Sequence, residues 1–305
     1  MDKKALLKKL KPLIIVAAVV LIVVIAVVNA IRIGLGDGRR ASEVLPAQPD
    51  TEYPLAVYYV DVGQGDGIVV KCEDTVLVID GGEREEADTM VRFLESVDAD
   101  QIDCYIATHP HSDHIGAAAG IFAAMNVRAV MMTSFSEINM PTTKSFERLQ
   151  TAIENRKSEV IFAEAGETYT FGPLTLEVFA PVEETADYNN MSIVFRLTYG
   201  KNTFMFTGDA ALESEALMLY RGYDLRADVL KVAHHGSSSS TSRDFLEAVD
   251  PVLAVISCGK NNDNGHPHRE TLALLNEEGI EYRRTDENGT VTVYGDGRNI
   301  FLKGD

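Results

Sequence analysis

Histidine occurs in only three short stretches of this 305-residue chain. The seven residues are His109, His111, His114, His234, His235, His266 and His268. In the first stretch, an extended loop would point His109 and His111 to the same side. Asp113 and His114, at the start of a following helix, would face back towards them. Imidazole and carboxylate groups bind zinc, manganese or iron, and such a loop has room for two neighbouring subsites, so this stretch predicts a metal site.

Short apolar runs alternate with helical patterns after residue 52 and give the elements that must position these side chains. We expect strands at residues 56–62, 67–72, 75–79, 102–108, 127–132, 192–198 and 202–207, and mostly strand between 160 and 180. We expect helices at residues 85–97, 115–125, 144–156 and 211–221, with further strands and helices to residue 294. Two β-rich halves with helices between them predict an α/β (α+β) fold, a layered αββα sandwich.

The composition is that of an ordinary globular protein, with 46% apolar and 24% charged residues. It excludes a disordered, collagen-like or multi-span membrane chain. The three cysteines, Cys72, Cys104 and Cys258, are too few and too scattered for a disulfide framework, and we interpret them as buried small apolar residues. The formal net charge of −18 disfavours any mechanism that relies on a broad basic groove for nucleic acid.

The N-terminal region predicts a membrane anchor. Residues 1–12 form a basic segment, and the apolar residues 13–31 would span roughly 28 Å as a helix, close to the thickness of a bilayer's hydrocarbon layer. Five lysines precede the apolar run, so the positive-inside rule places the N-terminus in the cytoplasm and the rest of the chain outside it. We expect residues 32–52 to be a linker and residues 53–305 to form one domain. A cleaved signal peptide and a secreted domain are the alternative.

The loop at residues 109–114 resembles the His-x-His-x-Asp-His signature of the metallo-β-lactamase fold. Four other stretches, at residues 61–67, 78–82, 206–209 and 231–237, are similar to motifs of the ComEC-type DNA-internalisation competence proteins. They read Asp-Val-Gly-Gln-Gly-Asp-Gly, Val-Ile-Asp-Gly-Gly, Phe-Thr-Gly-Asp and Lys-Val-Ala-His-His-Gly-Ser. The resemblance covers roughly residues 55–300. It implies a four-layer αββα sandwich with a site for two metal ions at the open edge of the two sheets.

The resemblance also implies the ligands of the two ions, namely His109, His111, Asp113, His114, Asp209 and His235. His109 and His111 would hold the first ion, and Asp209 would bridge both ions through its two oxygens. Asp209 also suits the N-cap of the following helix. His234 is the alternative to His235, and we favour His235 as the ligand and His234 as a group that donates to a phosphate or leaving oxygen. Catalytic roles are expected for Asp113, His234 and His266.

A further set of side chains is expected to orient the ligands or contact the substrate: Asp61, Gln64, Asp66, Asp80, Asn190, Ser192, Ser237 and His268. Asp80 would orient a ligand histidine, with a plain hairpin turn as the alternative. His268 is equally explained as a surface residue at a helix start. Many relatives carry another histidine before the bridging aspartate, and this chain has none between residues 114 and 234. The nearest candidates to replace it are Asn189, Asn190 and Ser192, and an amide ligand in place of imidazole favours manganese over zinc.

Two divalent metal ions, zinc or manganese, would activate water for hydrolysis and offset the charge that develops on a phosphoester. The resemblance implies a phosphodiesterase or nuclease, with single- or double-stranded DNA as the substrate and the membrane as the only other partner. One alternative is an envelope phosphoester hydrolase similar to teichoic-acid phosphorylcholine esterases, which the acidic composition favours. The other is a degenerate module that keeps the fold and has lost one metal ion.

Overall fold

The computed structural model describes residues 44–48 and 51–304. The predicted basic segment, the predicted anchor at residues 13–31 and most of the predicted linker lie outside these residues. Among the helices of the described part, none is long and apolar enough to cross a membrane.

Two β-sheets form the centre of the described part. The strands in chain order are β1 (Val44–Pro46), β2 (Leu55–Tyr59), β3 (Gly67–Cys72), β4 (Thr75–Asp80), β5 (Gln101–Ala107), β6 (Asn126–Met132), β7 (Glu159–Phe162), β8 (Thr168–Phe171), β9 (Leu174–Ala180), β10 (Val194–Tyr199), β11 (Asn202–Phe206), β12 (Val229–Lys231), β13 (Leu253–Ile256), β14 (Glu281–Arg284), β15 (Val291–Gly295) and β16 (Ile300–Leu302). The helices are α1 (Ala87–Ser96), α2 (Ser112–Ile115), α3 (Ala118–Ala124), α4 (Lys144–Arg156), α5 (Leu212–Arg221), α6 (Arg243–Val249), α7 (Arg269–Glu277) and α8 (Thr285–Asn288). Short 3₁₀ turns lie at Arg84–Glu86, Asn189–Met191 and Ala233–Gly236.

Each sheet combines an antiparallel part with a parallel part. The first sheet has the strand order β1-β16-β15-β2-β3-β4-β5-β6-β7, and its strands β4 to β7 are parallel. The second sheet has the order β14-β13-β12-β11-β10-β9-β8, and its strands β11 to β14 are parallel. Helices connect most of the parallel strands, because a parallel pair needs a long crossover.

The elements pack in four layers. The inner faces of the two sheets share one apolar core, in which the rings of Tyr59 from the first sheet and Phe206 from the second lie 6.3 Å apart. The outer face of the first sheet packs against α1, α3 and α4 through residues such as Phe122. The outer face of the second sheet packs against α5 to α7 through residues such as Met218 and Phe245. The predicted αββα sandwich is therefore confirmed.

The sandwich brings the ends of four strands to one edge. Asp80 ends β4, His109 follows β5, Asp209 follows β11 and His234 follows β12. In both sheets these strands belong to the parallel part or border it, so their carboxyl ends point the same way. The histidine stretches of the sequence lie in the loops at this edge.

Three details differ from the sequence-based expectations or go beyond them. The helix expected at residues 115–125 begins at Ala118 as α3, and the four-residue helix α2 precedes it. Gly116 lies between them in close contact with a turn, since a Cβ there would lie 2.6 Å from the Arg84 nitrogen. Strand β1 lies inside the segment expected to be a linker and pairs with β16. The short helix α8 has only four residues and carries no amphipathic repeat that would predict it. The cysteines are free and buried, as expected.

Candidate metal centre

A cluster of four potential ligands lies where the two sheets meet. It consists of Asp113, His114, Asp209 and His235, and we call it the second-ion cluster. Nε2 of His114 lies 3.2 Å from Oδ1 of Asp209 and 3.3 Å from Nε2 of His235. Nε2 of His235 lies 3.3 Å from Oδ2 of Asp113. Residues separated by more than 120 positions in the chain thus direct their ligand atoms at one point.

Asp80 holds the ring of His114 in place. The carboxylate is fully buried, and its Oδ2 lies 2.8 Å from Nδ1 of His114. Thr108 donates to the same carboxylate from its backbone N–H at 2.9 Å and from its hydroxyl at 2.6 Å. Because Asp80 accepts the Nδ1 proton, the Nε2 lone pair of His114 faces the cluster. This is the orienting role that the sequence predicts for Asp80.

His235 is held in the same way from the second sheet. Its Nδ1 lies 3.0 Å from the carbonyl oxygen of Ser257 and 3.3 Å from Oδ1 of Asp66. Asp66 in turn pairs with the fully buried Lys231, whose Nζ lies 2.8 Å from Oδ2. With its Nδ1 proton directed at these oxygens, His235 also turns the Nε2 lone pair to the cluster.

The first-ion cluster shares Asp209 with the second-ion cluster and contains His109 and His111. Nε2 of His109 lies 3.0 Å from Nδ1 of His111 and 3.7 Å from Oδ2 of Asp209. Nδ1 of His109 contacts the Thr108 hydroxyl at 3.2 Å. That hydroxyl donates to Asp80, so it accepts from His109 and leaves the His109 Nε2 lone pair directed into the cluster. The two oxygens of Asp209 therefore face different clusters, as a bridging carboxylate requires.

The donor set fits a pair of divalent cations. Oδ1 of Asp209 is buried and has no hydrogen-bond donor. Its neighbours are the Nε2 atoms of His114 and His235, which carry lone pairs in the tautomers set by Asp80 and Ser257. Electron-rich atoms this close repel each other unless protons or a cation lie between them. Imidazole nitrogens with carboxylate oxygens are the ligands that zinc and manganese accept.

Without metal, the second-ion cluster takes up protons instead. Burial lowers the pKa of His114, but the carboxylates of Asp209, Asp113 and Asp80 outweigh burial and raise this pKa well above its usual range. Burial likewise opposes the charged form of His235, yet Asp209, Asp113 and Asp66 raise its pKa to about 9. A divalent cation would supply the positive charge that these protons supply in its absence.

His109 behaves differently from these two histidines. Burial and the neighbouring His114 lower its pKa well below the usual value, and Asp209 only partly offsets this effect. His109 is therefore a neutral imidazole near pH 7, the form that binds a metal ion.

The adjacent residues His234 and His235 point in different directions. Both have left-handed backbone angles, with φ of 50° and 54°. His235 is buried in the second-ion cluster, whereas Nε2 of His234 lies 3.7 Å from Oδ2 of Asp209, the oxygen that faces the first-ion cluster. Nδ1 of His234 contacts the Ser239 hydroxyl at 3.2 Å. The structure thus places His235 with the candidate ligands and His234 at the partly open mouth, and the roles assigned to them stay predictions.

His266 lies on the same side of the mouth as His234. The ring centroids of these two residues are 5.4 Å apart, and Nδ1 of His266 is buried without a hydrogen-bond partner. Burial and the nearby His235 and His234 lower the pKa of His266 to about 4. His266 therefore presents a neutral imidazole beside the centre. His268 lies one ring further out, where it accepts a hydrogen bond from the Ser238 backbone at 2.9 Å and ties two loops together.

Ser192 and Asn190 position Asp209 and the helix that follows it. The Asp209 N–H donates to Oγ of Ser192 at 3.0 Å. Oδ1 of Asn190 accepts from Ala211 N at 3.1 Å and from Ser214 N at 3.3 Å, and so caps the start of α5. The amide oxygen that the sequence offered as a metal ligand is thus engaged with the helix. The expectation that Asp209 caps α5 is wrong, because Asn190 takes this role.

The loop at residues 61–67 packs against the segment that carries Asp113. Gly65 packs against the carbonyl of Asp113, which a Cβ would meet at 2.2 Å, and Asp66 N–H donates to this carbonyl. Oε1 of Gln64 accepts from Gly259 N at 3.1 Å. Asp61 is exposed and accepts from Gly63 N, so it shapes the loop, and its expected contact with substrate stays a prediction.

Ser237 completes the candidate residues named by the sequence. Its hydroxyl lies 2.9 Å from that of Ser239, which contacts His234.

Three residues that support the centre, Lys231, Thr108 and Ser257, were not predicted from the sequence. Lys231 and Thr108 lie within or beside the recognised motifs, and an apolar strand end followed by a buried polar residue is the signal that marks them. Ser257 acts through its backbone carbonyl, for which no sequence signal exists.

Comparison with known families shows the superfamily of the chain. Residues 60–260 match the family model of the metallo-beta-lactamase superfamily. The chain belongs to this superfamily. The predictions of a metal-dependent hydrolase of this superfamily and of binding sites for divalent metal ions are confirmed at this level.

Within the superfamily, the chain is similar to competence proteins. It is 30% identical to ComE operon protein 3 of Bacillus subtilis over 76% of this chain and 32% of that protein. It is 28% identical to Competence protein ComA of Neisseria gonorrhoeae over 83% of this chain and 33% of that protein. The expected resemblance to ComEC-type proteins is thus confirmed, and the chain spans about a third of the length of these relatives.

Solved structures support the fold. CmlA, a diiron beta-hydroxylase from Streptomyces venezuelae, matches with a TM-score of 0.56 and 14% identity over 80% of this chain and 55% of that one. At this identity the match concerns the fold alone.

Proposed function

We propose that this metallo-β-lactamase-fold chain is a membrane-anchored phosphodiesterase that cleaves a nucleic-acid strand outside the cytoplasm. The observation that carries the proposal is the Asp209 carboxylate, whose two oxygens face two separate histidine clusters. Similarity to competence proteins supports a nucleic-acid substrate. The apolar residues 13–31 and the five lysines before them support the anchor and its orientation.

His109, His111 and Asp209 would hold one divalent ion, and Asp113, His114, Asp209 and His235 would hold the other. Bound together, such ions lower the pKa of water and offset negative charge on a phosphoryl group. Asp80 and Ser257 keep the ligand lone pairs directed inward. The chain itself therefore fixes the orientation of these rings, and a cation would replace the protons that the cluster holds without metal.

His234 is suited to contact the leaving oxygen. Its Nε2 is close to Asp209, and its side chain is 23% exposed, so a bound diester can reach it. Burial lowers its pKa despite the opposing effect of Asp209, so the ring is neutral near pH 7. When the Ser239 hydroxyl donates to Nδ1, the His234 proton resides on Nε2 and points at the substrate. His234 then donates a hydrogen bond to the departing oxygen.

The acidic composition supports a second candidate function, an envelope phosphoester hydrolase similar to a teichoic-acid phosphorylcholine esterase. With 46 acidic against 28 basic residues, the composition disfavours a long basic groove for a nucleic acid. A phosphorylcholine ester carries a cation as well as a phosphate and so suits an acidic surface better than DNA does.

Metal content and activity of the full chain in detergent test both proposals. We expect close to two transition-metal ions per chain and hydrolysis of bis-p-nitrophenyl phosphate and of single-stranded DNA. The variant Asp209→Asn should lose both metal and activity, and Asp224→Asn, which alters an exposed ion pair with Arg226, should keep both.

The other outcomes distinguish between the alternative functions of the protein. Hydrolysis of p-nitrophenylphosphorylcholine but of no nucleic acid would establish the second candidate. One bound metal ion without any hydrolysis would indicate the degenerate binding module and refute the phosphodiesterase.

A further inference from the structure

A groove that the mechanism does not use opens beside the candidate metal centre. It has a volume of about 610 Å³, in the range of sites that bind one small molecule or one unit of a polymer. One wall is formed by residues 260–262 and 265–267 and the other by Arg284, Asp286 and Glu287. His266 lines this groove and also contacts His234 edge-on and lies near His235, at centroid distances of 5.4 and 6.1 Å. His266 therefore lies between the groove and the mouth of the centre.

The first wall is braced by the side chain of Asn262. Its Nδ2 donates to the carbonyl oxygens of Gly259 at 2.8 Å and His266 at 2.6 Å, and its Oδ1 accepts from His266 N at 2.9 Å. The loop between Gly259 and His266 is thus closed on itself. Because the loop is already ordered, ligand binding does not carry the conformational entropy cost of ordering it.

The second wall is fixed to the first by Thr285. Its hydroxyl accepts from Cys258 N at 2.9 Å and contacts the carbonyl oxygen of Cys258 at 3.0 Å. The guanidinium of Arg284 binds Asp286 at 2.7 Å and Glu287 at 3.0 Å. The two acidic side chains of the groove are therefore engaged by Arg284.

Lys260 is the charged residue of the groove that remains. Within residues 44–48 and 51–304, no ion pair involves its ammonium group, and its side chain is exposed. The net charge of −18 disfavours the binding of an anion to the chain as a whole. In this groove an anion meets a lysine without a counter-ion, and beside it the ring of His266, whose Nδ1 also has no partner.

We propose that this groove binds the phosphate next to the scissile one in a phosphodiester polymer, with Lys260 as the residue that recognises its charge. The inference rests on the proposed function and deepens it: the protein acts on a chain of phosphodiesters in preference to an isolated diester. A nucleic acid and a poly(glycerol phosphate) chain both present such a second phosphate.

The test uses the full chain and a thymidine trinucleotide with two phosphates. It is compared with its two analogues in which one linkage or the other is an uncharged methylphosphonate. In the wild type, one analogue should have a KM about two- to fivefold above that of the charged trinucleotide, the effect of one partly exposed charge pair. Lys260→Gln should abolish this difference and reduce the slope of log KM against log salt by about 0.7.

A control variant and a second series of substrates distinguish the possible results. Lys157→Gln, at the far end of α4, removes an equally exposed charge and should keep the wild-type difference. A parallel series with a poly(glycerol phosphate) trimer identifies which polymer the groove accepts. The subsite would be refuted by equal KM values for charged and uncharged substrates in the wild type, or by a difference that survives in Lys260→Gln. In either case, hydrolysis of bis-p-nitrophenyl phosphate would still support the phosphodiesterase. Hydrolysis of none of these substrates would overturn both.

Discussion

The substitution Asp80→Asn tests whether Asp80 orients the candidate metal ligand His114, because it leaves every candidate ligand in place. In Asp80→Asn, the new side chain keeps an oxygen for the Thr108 N–H, but its amide nitrogen replaces the Oδ2 that faces the Thr108 hydroxyl at 2.6 Å and Nδ1 of His114 at 2.8 Å. The amide nitrogen donates where the carboxylate accepted. It therefore favours the His114 tautomer with its proton on Nε2, the atom that faces Asp209.

Two consequences have a calculable size. Loss of such an orienting partner weakens metal binding by about 10- to 100-fold, which corresponds to about 1.4–2.8 kcal/mol. Two hydrogen bonds to a charged acceptor, each worth about 1.5–3 kcal/mol, are lost and one neutral bond of about 0.5–1.5 kcal/mol is gained, so the metal-free protein should lose about 1.5–5.5 kcal/mol of its free energy of unfolding.

Chelator competition measures the metal affinity, and urea unfolding of the chelated protein measures the stability. Asp103→Asn is the matched control, because Asp103 lies in the same sheet, accepts from Val76 N at 3.0 Å and pairs with the exposed Arg128 at 3.2 Å. It should leave the metal affinity unchanged. If Asp80→Asn binds metal as tightly as the wild type, the assignment of Asp80 as the group that orients His114 is wrong.

The other predictions concern metal content, pH and topology. His111→Ala should lower the metal content by about one ion per chain as measured by mass spectrometry, and an unchanged content would remove His111 from the ligands. In the chelated protein, the pKa of His235 is raised from 6.5 to about 9, so its contribution to stability is present below pH 6.5 and lost as the pH rises to about 9. Melting temperatures of chelated protein should fall over this range by more than those of His235→Gln, and parallel curves would contradict the assigned pKa. Protease added to intact cells should digest the domain, and protection until lysis would refute the outward orientation.

Sequence patterns predicted the layers of the fold well, because its parallel strands are buried on both faces and appear as apolar runs. Strand β4 is buried at every position and was recognisable from residues 75–79 alone. The pairing of β1 with β16 was not predictable, because three residues with no apolar alternation carry too little signal. The close approach of Gly116 to a turn some thirty residues earlier was not predictable either, because only the tertiary structure reveals it.

The candidate ligands were predictable for a different reason. Histidine is rare in this chain, so its clustering in three loops is visible without any structure. What the sequence left open was the choice between His234 and His235, because adjacent residues in a loop have no fixed orientation. The left-handed backbone at both positions makes this choice, and it directs one ring to Asp113 and the other to Ser239.

The charge of the centre resolves the apparent conflict between an acidic chain and an anionic substrate. Four carboxylates surround the two clusters, those of Asp66, Asp80, Asp113 and Asp209, and two divalent cations would neutralise them. The buried ammonium of Lys231, paired with Asp66, then leaves the centre with one positive charge. Because charges in a poorly hydrated site act over short distances with little screening, a phosphate is attracted at the mouth even though the chain as a whole carries −18. Substrate binding should therefore depend on the metal ions and on local cations, and only weakly on the net charge of the protein.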